Sequence, residues 1–338
     1  ATFMLLMLLS GSCNTILMKF MVMQQVPTGP GAASTGFDHP FFQSLLMMIG
    51  ESLCLVAYIG THYQQKKGQG SDLMSPEAPR IVFMVACILD WTATTLVNMA
   101  YVLIAASVVQ MTRGAIVIFT CLFSVIFLGR RQHGYHLVGV GLVFLGITLV
   151  SLSAFVNPSH TPQARSPAYQ RFLGIGLCMG AQIFQASMLV YEEKIMSRYS
   201  VPPLQVVGME GVCGIMVGMV LLSFLNFFNL ESAPVAYYQI THSTPLLMAV
   251  VGSIFSIAIF NYSGVTVTQQ ASATARSTVD VSRTILIWAV ELLLHWNTFN
   301  VIQLGGFVIL ALGTLLYNRL ITFAALDPVP EAIPIACK

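Results

Sequence analysis

The stretch "ARSTVDVSRTILIWAV" (residues 275–290) places Arg276, Asp280 and Arg283 immediately before a run apolar enough for lipid. Only 8% of the chain is charged, so three charges in so short a space are conspicuous. In a helix Asp280 follows Arg276 by four residues and Arg283 follows by three more. At about 100° per residue the three share a face roughly 60° wide. An Arg or Asp at the centre of a bilayer costs about 2.5–3.5 kcal/mol on insertion scales, so such a stripe needs a partner or a wet cavity. Two readings stand: an Arg–Asp–Arg pairing that only joins neighbouring helices, or the wall of a polar cavity.

Composition says that a bilayer is the relevant solvent. Of 338 residues 56% are hydrophobic, and ordinary soluble chains carry roughly a quarter charged residues. The apolar residues form runs long enough to span a membrane, near 1–22, 41–62, 81–102, 105–128, 134–154, 172–196, 202–227, 246–267, 270–294 and 299–318. They lack the alternation of barrel strands, so the expected fold is an all-α polytopic membrane protein with ten transmembrane helices. The net charge of +2 and the lack of a basic tract argue against nucleic-acid binding. Six of the seven cysteines fall in the apolar runs and read as small core residues, without disulfide or metal spacing. The chain opens at Ala1 inside an apolar run, which reads as a truncated or processed first span rather than a cleavable signal.

The polar segment "NPSHTPQARSPAYQR" (157–171) divides the runs five and five. The halves echo one another. Glu51 precedes Cys54 as Glu210 precedes Cys213. "MTRGAIVIF" (111–119) parallels "VSRTILIWA" (281–289), so Arg113 holds the place of Arg283. "GVGLVFLGIT" (139–148) parallels "GFVILALGT" (306–314), with glycines seven apart in each. Five is odd, so a second copy enters the membrane inverted, a construction common among secondary transporters. The expected organisation is a first repeat at 1–154, a loop at 155–171, a second repeat at 172–319 and a tail at 320–338. Loop charge orients it. With the N-terminus cytosolic, Lys66, Lys67, Arg80, Arg130, Arg131, Lys194, Arg198, Arg319 and Lys338 lie on the cytosolic side against Lys19, Arg165 and Arg171 opposite, which places both termini in the cytosol.

Buried polar residues are the candidate site. Gln110 and Arg113, with Ser107, make a stripe on span four to match Arg276, Asp280 and Arg283 on span nine, and together they are candidates for a solute pathway. Glu51, Asp90 and Glu210 lie eight to ten residues inside their spans. They are candidates for binding and releasing a proton, or alternatively for fixed salt bridges to the arginines. Glu192, Glu193 and Glu291, nearer span ends, read as interfacial, and Lys19 as snorkelling. Gly176–Gly180 and Gly214–Gly218 have helix-packing spacing. Asn261 opens a glycosylation triplet but lies within a span. No catalytic, phosphate-loop or metal motif stands out; Asp90 and Asp280 lack the Gly-x-Gly-Asp setting of intramembrane aspartyl proteases. No cofactor or enzymatic activity is expected.

The segments "GSCNTILMK" (11–19), "HPFFQ" (39–43), "GESLCL" (50–55), "QMTRGAIVIFTCLFSVIFLGRR" (110–131), "YEEK" (191–194), "GMEG" (208–211) and "SATARSTVDVSRTILIWA" (272–289) resemble the drug/metabolite transporter superfamily, and within it the F subfamily of solute carrier family thirty-five. The resemblance implies two inverted five-helix repeats around a central cavity. It further implies a secondary transporter of a small polar organic solute (nucleotide-sugar-, metabolite- or drug-like) in an endomembrane such as Golgi, lysosome or vacuole, or in mitochondria. The expected partners are a small-molecule solute and membrane lipid, with a homodimer or a larger membrane complex left open. The alternative is a transporter-like accessory subunit of such a complex.

Overall fold

In a computed structural model the chain is almost entirely helical. The structure describes residues 2–30, 34–66, 79–104, 108–109, 112–129, 134–156, 167–199, 201–228, 231–295 and 301–317. Helix α1 (Thr2–Met23) leads into a two-stranded antiparallel hairpin, β1 (Gln25–Pro27) and β2 (Ser34–Gly36), with Val26 opposite Thr35. There follow α2 (Pro40–Lys66), α3 (Arg80–Leu103), a 3₁₀ turn (Arg113–Ala115), α4 (Ile116–Leu128), α5 (Gly134–Val156), α6 (Ala168–Tyr199) and α7 (Pro203–Phe227). The last helices are α8 (Ala233–Thr241), α9 (Thr244–Gln270), α10 (Ala273–Leu293) and α11 (Val301–Tyr317).

Six of these, α1, α2, α3, α6, α7 and α9, are long and apolar enough to cross a membrane, which makes this a multi-pass integral membrane protein. Helix α10 has the length but carries Arg276, Asp280, Arg283 and Glu291. The outside is apolar, with Val220 and Phe227 73% and 80% exposed, whereas Glu51, Asp90, Glu192 and Glu210 are buried. This reversal of the soluble pattern suits a lipid exterior, where chain polarity must turn inward.

Local chemistry sets the helix ends. Pro203 and Pro245 sit in first turns, where a missing N–H costs nothing. Ser272 caps α10 by accepting the Ala275 N–H at 3.1 Å. Helix α4 stops at Gly129, whose φ of 65° suits the left-handed C-terminal position. The cap of α2 comes from far away: the Glu231 carboxylate accepts the N–H groups of Phe41 (3.1 Å) and Phe42 (2.8 Å). Burial raises Glu231 and Asp38 above the ordinary carboxylate values and lowers His39 below the ordinary imidazole value.

The main helix pairs are α5 with α11, α2 with α7, α1 with α9, and α3 with α6. Glycines permit the closest of them. An added Cβ on Gly208, Gly211 or Gly214 would meet Leu55, Ser52 or Met48 of α2 at 2.3–2.4 Å. The α5–α11 contact is reciprocal. A Cβ on Gly146 would lie 2.7 Å from the Gly306 carbonyl, and one on Gly313 would lie 2.8 Å from the Gly139 carbonyl.

The structure corrects several expectations. Span four is not one regular helix, since the backbone tightens to 3₁₀ at Arg113–Ala115. The 24–40 connection holds a hairpin, and a short helix, α8, precedes α9. Gly176 has open space beside it and Gly180 only a 3.9 Å neighbour, so that pair is not a close-approach site; Gly174, against Ile104 and Leu103, is. Cys13 is exposed rather than core, while Cys54, Cys87, Cys121, Cys178 and Cys213 are buried.

Candidate functional site

Where the helices converge they leave a small cavity of about 70 Å³. Charged side chains from distant parts of the chain line it: Glu51 of α2, Asp90 of α3, Arg113 of the 3₁₀ turn, and Arg276, Asp280 and Arg283 of α10. The stripe read from the opening segment therefore faces inward, and Arg113 borders the same space. Gln110 and Ser107 lie outside the described residues.

Each arginine has a place made for it. Gly264 of α9 leaves room for the Arg276 guanidinium, because a Cβ there would fall 2.6 Å from Nε. Gly11 of α1 does the same for Arg283, at 2.6 Å from Nη1. Arg276 Nη1 donates to Glu192 Oε2 at 2.5 Å. Arg283 pairs with Asp280 at 3.0 Å and lies 4.7 Å over the Phe260 ring. Arg113 lies near Tyr101 and Asp280, and its buried Nε has no hydrogen-bond partner.

The other three acids have different company. Among the described residues, neither Glu51, Asp90 nor Glu210 forms an ion pair within 4.0 Å, so the fixed salt bridges considered from sequence are not what holds them. Glu51 accepts from the Asn261 amide at 2.6 Å. Gln185 reaches Asp90. Glu210 meets Glu192, and Gly211, next in sequence, packs on the Glu51 backbone.

Sequence reasoning missed or misplaced several residues. Glu192 is not interfacial: it is 0% exposed and belongs to the central cluster. Lys19 does not snorkel, and Glu291 is not at an interface, because the two pair at 3.1 Å with Glu291 buried. Glu193 is half-buried and accepts the Ala273 N–H at 2.9 Å, adding a second cap to α10. The amides Asn14, Asn98, Gln185 and Asn261 were not singled out as site residues. A signal for them existed, since a primary amide within an apolar run is itself costly. A second small cavity shares Arg113 and Gln185 with the first and extends to Tyr101 and Asn98. Asn98 in turn donates to the Pro40 carbonyl at 3.2 Å, beside the Glu231 cap. Polar groups thus run from the centre toward the 24–40 connection.

What this arrangement can do is hold a small polar or charged species away from lipid, among ionisable and amide side chains.

Comparison with known proteins agrees with this architecture. Residues 1–321 match the model of the UAA transporter family. The chain is 35% identical to human Solute carrier family 35 member F6 over 328 residues, covering 93% of this chain and 87% of that one. The Rattus norvegicus counterpart is 34% identical. An uncharacterised Schizosaccharomyces pombe protein is 29% identical, covering 94% of this chain and 97% of that protein. A solved crystal structure shares the fold at a TM-score of 0.63 and 13% identity, over 95% of this chain and 97% of its own. The chain belongs to the UAA transporter family.

Proposed function

We propose that this protein is a secondary transporter that moves a small polar organic solute across its membrane by alternating access, with its cavity as the binding site. One observation carries the reading: a buried cavity walled by ionisable side chains from both the 1–154 and the 172–319 segments. Buried charge is expensive in a bilayer and marks solute or ion pathways. The accessory-subunit reading has no need of such a cavity.

The contact pattern supports an inverted five-helix repeat. With α1–α3, the 3₁₀ turn plus α4, and α5 as spans one to five, and α6, α7, α9, α10 and α11 as spans six to ten, adding five to a span number exchanges the repeats. Under that exchange the α2–α7 and α5–α11 contacts map onto themselves, and α1–α9 maps onto α3–α6. The reciprocal Gly146–Gly306 and Gly313–Gly139 approaches are the same symmetry at atomic scale. The loop charges support a cytosolic location for both termini. Arg113 opens the 3₁₀ turn that leads directly into α4.

A cavity of about 70 Å³ holds a few waters, and small-molecule sites are usually about 300–1,000 Å³. The space is therefore too small for an organic solute, and solute entry requires the halves to separate. Glu51, Asp90 and Glu210 supply proton-binding groups for coupling. The test is exchange of a panel of nucleotide sugars, amino acids and organic cations into proteoliposomes, with and without a pH gradient. Uptake that saturates and falls in Arg113→Gln supports the transporter. Failure of every solute, together with copurification at fixed stoichiometry in a larger complex, replaces it with the accessory subunit.

A further inference from the structure

The charges in and against the cavity do not balance. Glu51, Asp90, Glu192, Glu210 and Asp280 face Arg113, Arg276 and Arg283 among the described residues, so two acids are in excess. The imbalance is also uneven in space. At one end Arg113 and Arg283 share Asp280. At the other, four carboxyls face Arg276, which is already bonded to Glu192 at 2.5 Å, while Arg113 faces Asp90 from across the cavity. There Glu51 and Asp90 have no ion pair within 4.0 Å among the described residues, and Glu51 takes its hydrogen bond from the neutral amide of Asn261. Oε1 of Glu192 and Oε1 of Glu210 are buried without a partner, in residues 0% and 2% exposed.

Resting on the transporter reading, we propose that the solute bears a protonated amine, which binds between Glu51 and Asp90 and displaces protons held there. An uncompensated buried carboxylate is costly enough that the excess charge must be cancelled by a proton or by a cation. Before solute binds, protons do this. One goes to Glu192 and Glu210, neighbouring buried carboxyls that each leave Oε1 without a partner. The Glu51–Asp90 pair takes another. An ammonium group entering beside Glu51 and Asp90 supplies the same positive charge, so the proton leaves to solvent and charge is conserved. The Arg113–Asp280–Arg283 end, with one positive charge in excess, accepts an anionic part of the same molecule. A wholly anionic solute would meet only that end and would add to the excess at the other. The other titratable and charged groups facing the pair are Cys54 and Cys87 on their own helices, Arg113 on the 3₁₀ turn, Glu210 and Cys213 on α7, Glu192 on α6, and Arg276 on α10.

The experiment uses the purified full chain in lipid nanodiscs and reads binding rather than transport. Ethylenediamine, histamine and UDP-glucose are titrated into weakly buffered samples at neutral pH, with proton release and heat recorded together. Infrared difference spectra follow the protonated-carboxyl band. The expected result is that an amine binds, releases protons and diminishes that band. Glu51→Gln and Asp90→Asn should each weaken binding about thirtyfold and remove the proton release. Release that persists unchanged in the Glu51→Gln, Asp90→Asn double variant overturns the proposal, as does absence of a protonated-carboxyl band in the empty protein. Binding of UDP-glucose with no binding of either amine overturns it while leaving the transporter reading intact. Amine binding with the expected proton release, but no uptake of any solute into proteoliposomes, upholds this site and sinks the transporter reading.

Discussion

The Arg276 guanidinium closes on the Glu192 carboxylate at 2.5 Å, with both side chains sealed inside the helix bundle. This pair joins α6 to α10 across 84 residues of sequence. It also sets a cation among the carboxyls at the acid-rich end of the cavity.

Because acids outnumber bases there, the two partners are not equivalent. Arg276→Gln leaves Glu192 without its paired cation among three further buried carboxyls and should cost about 3–5 kcal/mol, the range for breaking a buried pair. Glu192→Gln leaves Arg276 with Glu51, Asp90 and Glu210 for neighbours and should cost distinctly less. At the other end the order reverses: Asp280→Asn strands two arginines and should cost more than Arg113→Gln or Arg283→Gln. Thermal unfolding of detergent-solubilised variants checks both orders, and equal losses within each pair would refute the charge asymmetry.

Gly264→Ala and Gly11→Ala should act through the arginines they shelter. In each case the new methyl would fall 2.6 Å from a guanidinium nitrogen, so Arg276 or Arg283 must move. A loss of about 1–3 kcal/mol is expected, the range for overpacking. Gly305→Ala, with nothing within 4 Å, is the control and should be neutral or slightly stabilising.

Gly146→Ala and Gly313→Ala press on backbone carbonyls at 2.7 and 2.8 Å, which cannot turn aside as a side chain can. If the α5–α11 contact obeys a two-fold relation, the two variants should be destabilised by similar amounts, and the double variant should be less than additive because both wedge the same interface. A large inequality in their unfolding temperatures would speak against the symmetry.

Glu231 predicts a pH dependence at the α2 cap. Its carboxyl is raised above 4.5, chiefly by burial, so the folded state holds the proton more tightly than the unfolded chain. The stability it contributes is full below that value and declines as pH rises through the higher folded value; Asp38 acts in the same direction. His39 is lowered, so its contribution is full above 6.5 and is lost as pH falls through its lower folded value. Glu231→Gln should flatten the decline toward higher pH, and His39→Gln the decline toward lower pH. Glu231→Ala should cost about 1–2 kcal/mol at any pH through loss of the cap. Unfolding midpoints measured from mildly acidic to neutral pH test all three.

Orientation is tested by single-cysteine labelling in intact vesicles. Reporters at 64–80 and at 155–171 should react from opposite faces, the first cytosolic, because basic residues crowd the even-numbered connections. Labelling from one face would break the five-and-five organisation.

Much of this protein could be read from the chain alone, because the relevant physics is local. Apolar runs reveal membrane helices, since the free energy of burying a span is the sum over its own residues. The stripe of Arg276, Asp280 and Arg283 was legible for the same reason, as helical spacing and the cost of charge in lipid both act within a few turns. Arg113 followed from its match with Arg283. The choice of partner for each charge was not legible. Glu192 sits near the C-terminal end of the 32-residue helix α6, which reads as an interface by position. The packing of α6 against α3 and α10 instead carries it into the core beside Arg276. Asn261 reaches Glu51 across 210 residues, and Lys19 reaches Glu291, because helix crossings, not neighbouring sequence, decide which side chains meet. The stripe's position was a property of one helix, whereas its electrostatic balance was decided only when the helices assembled around a common cavity.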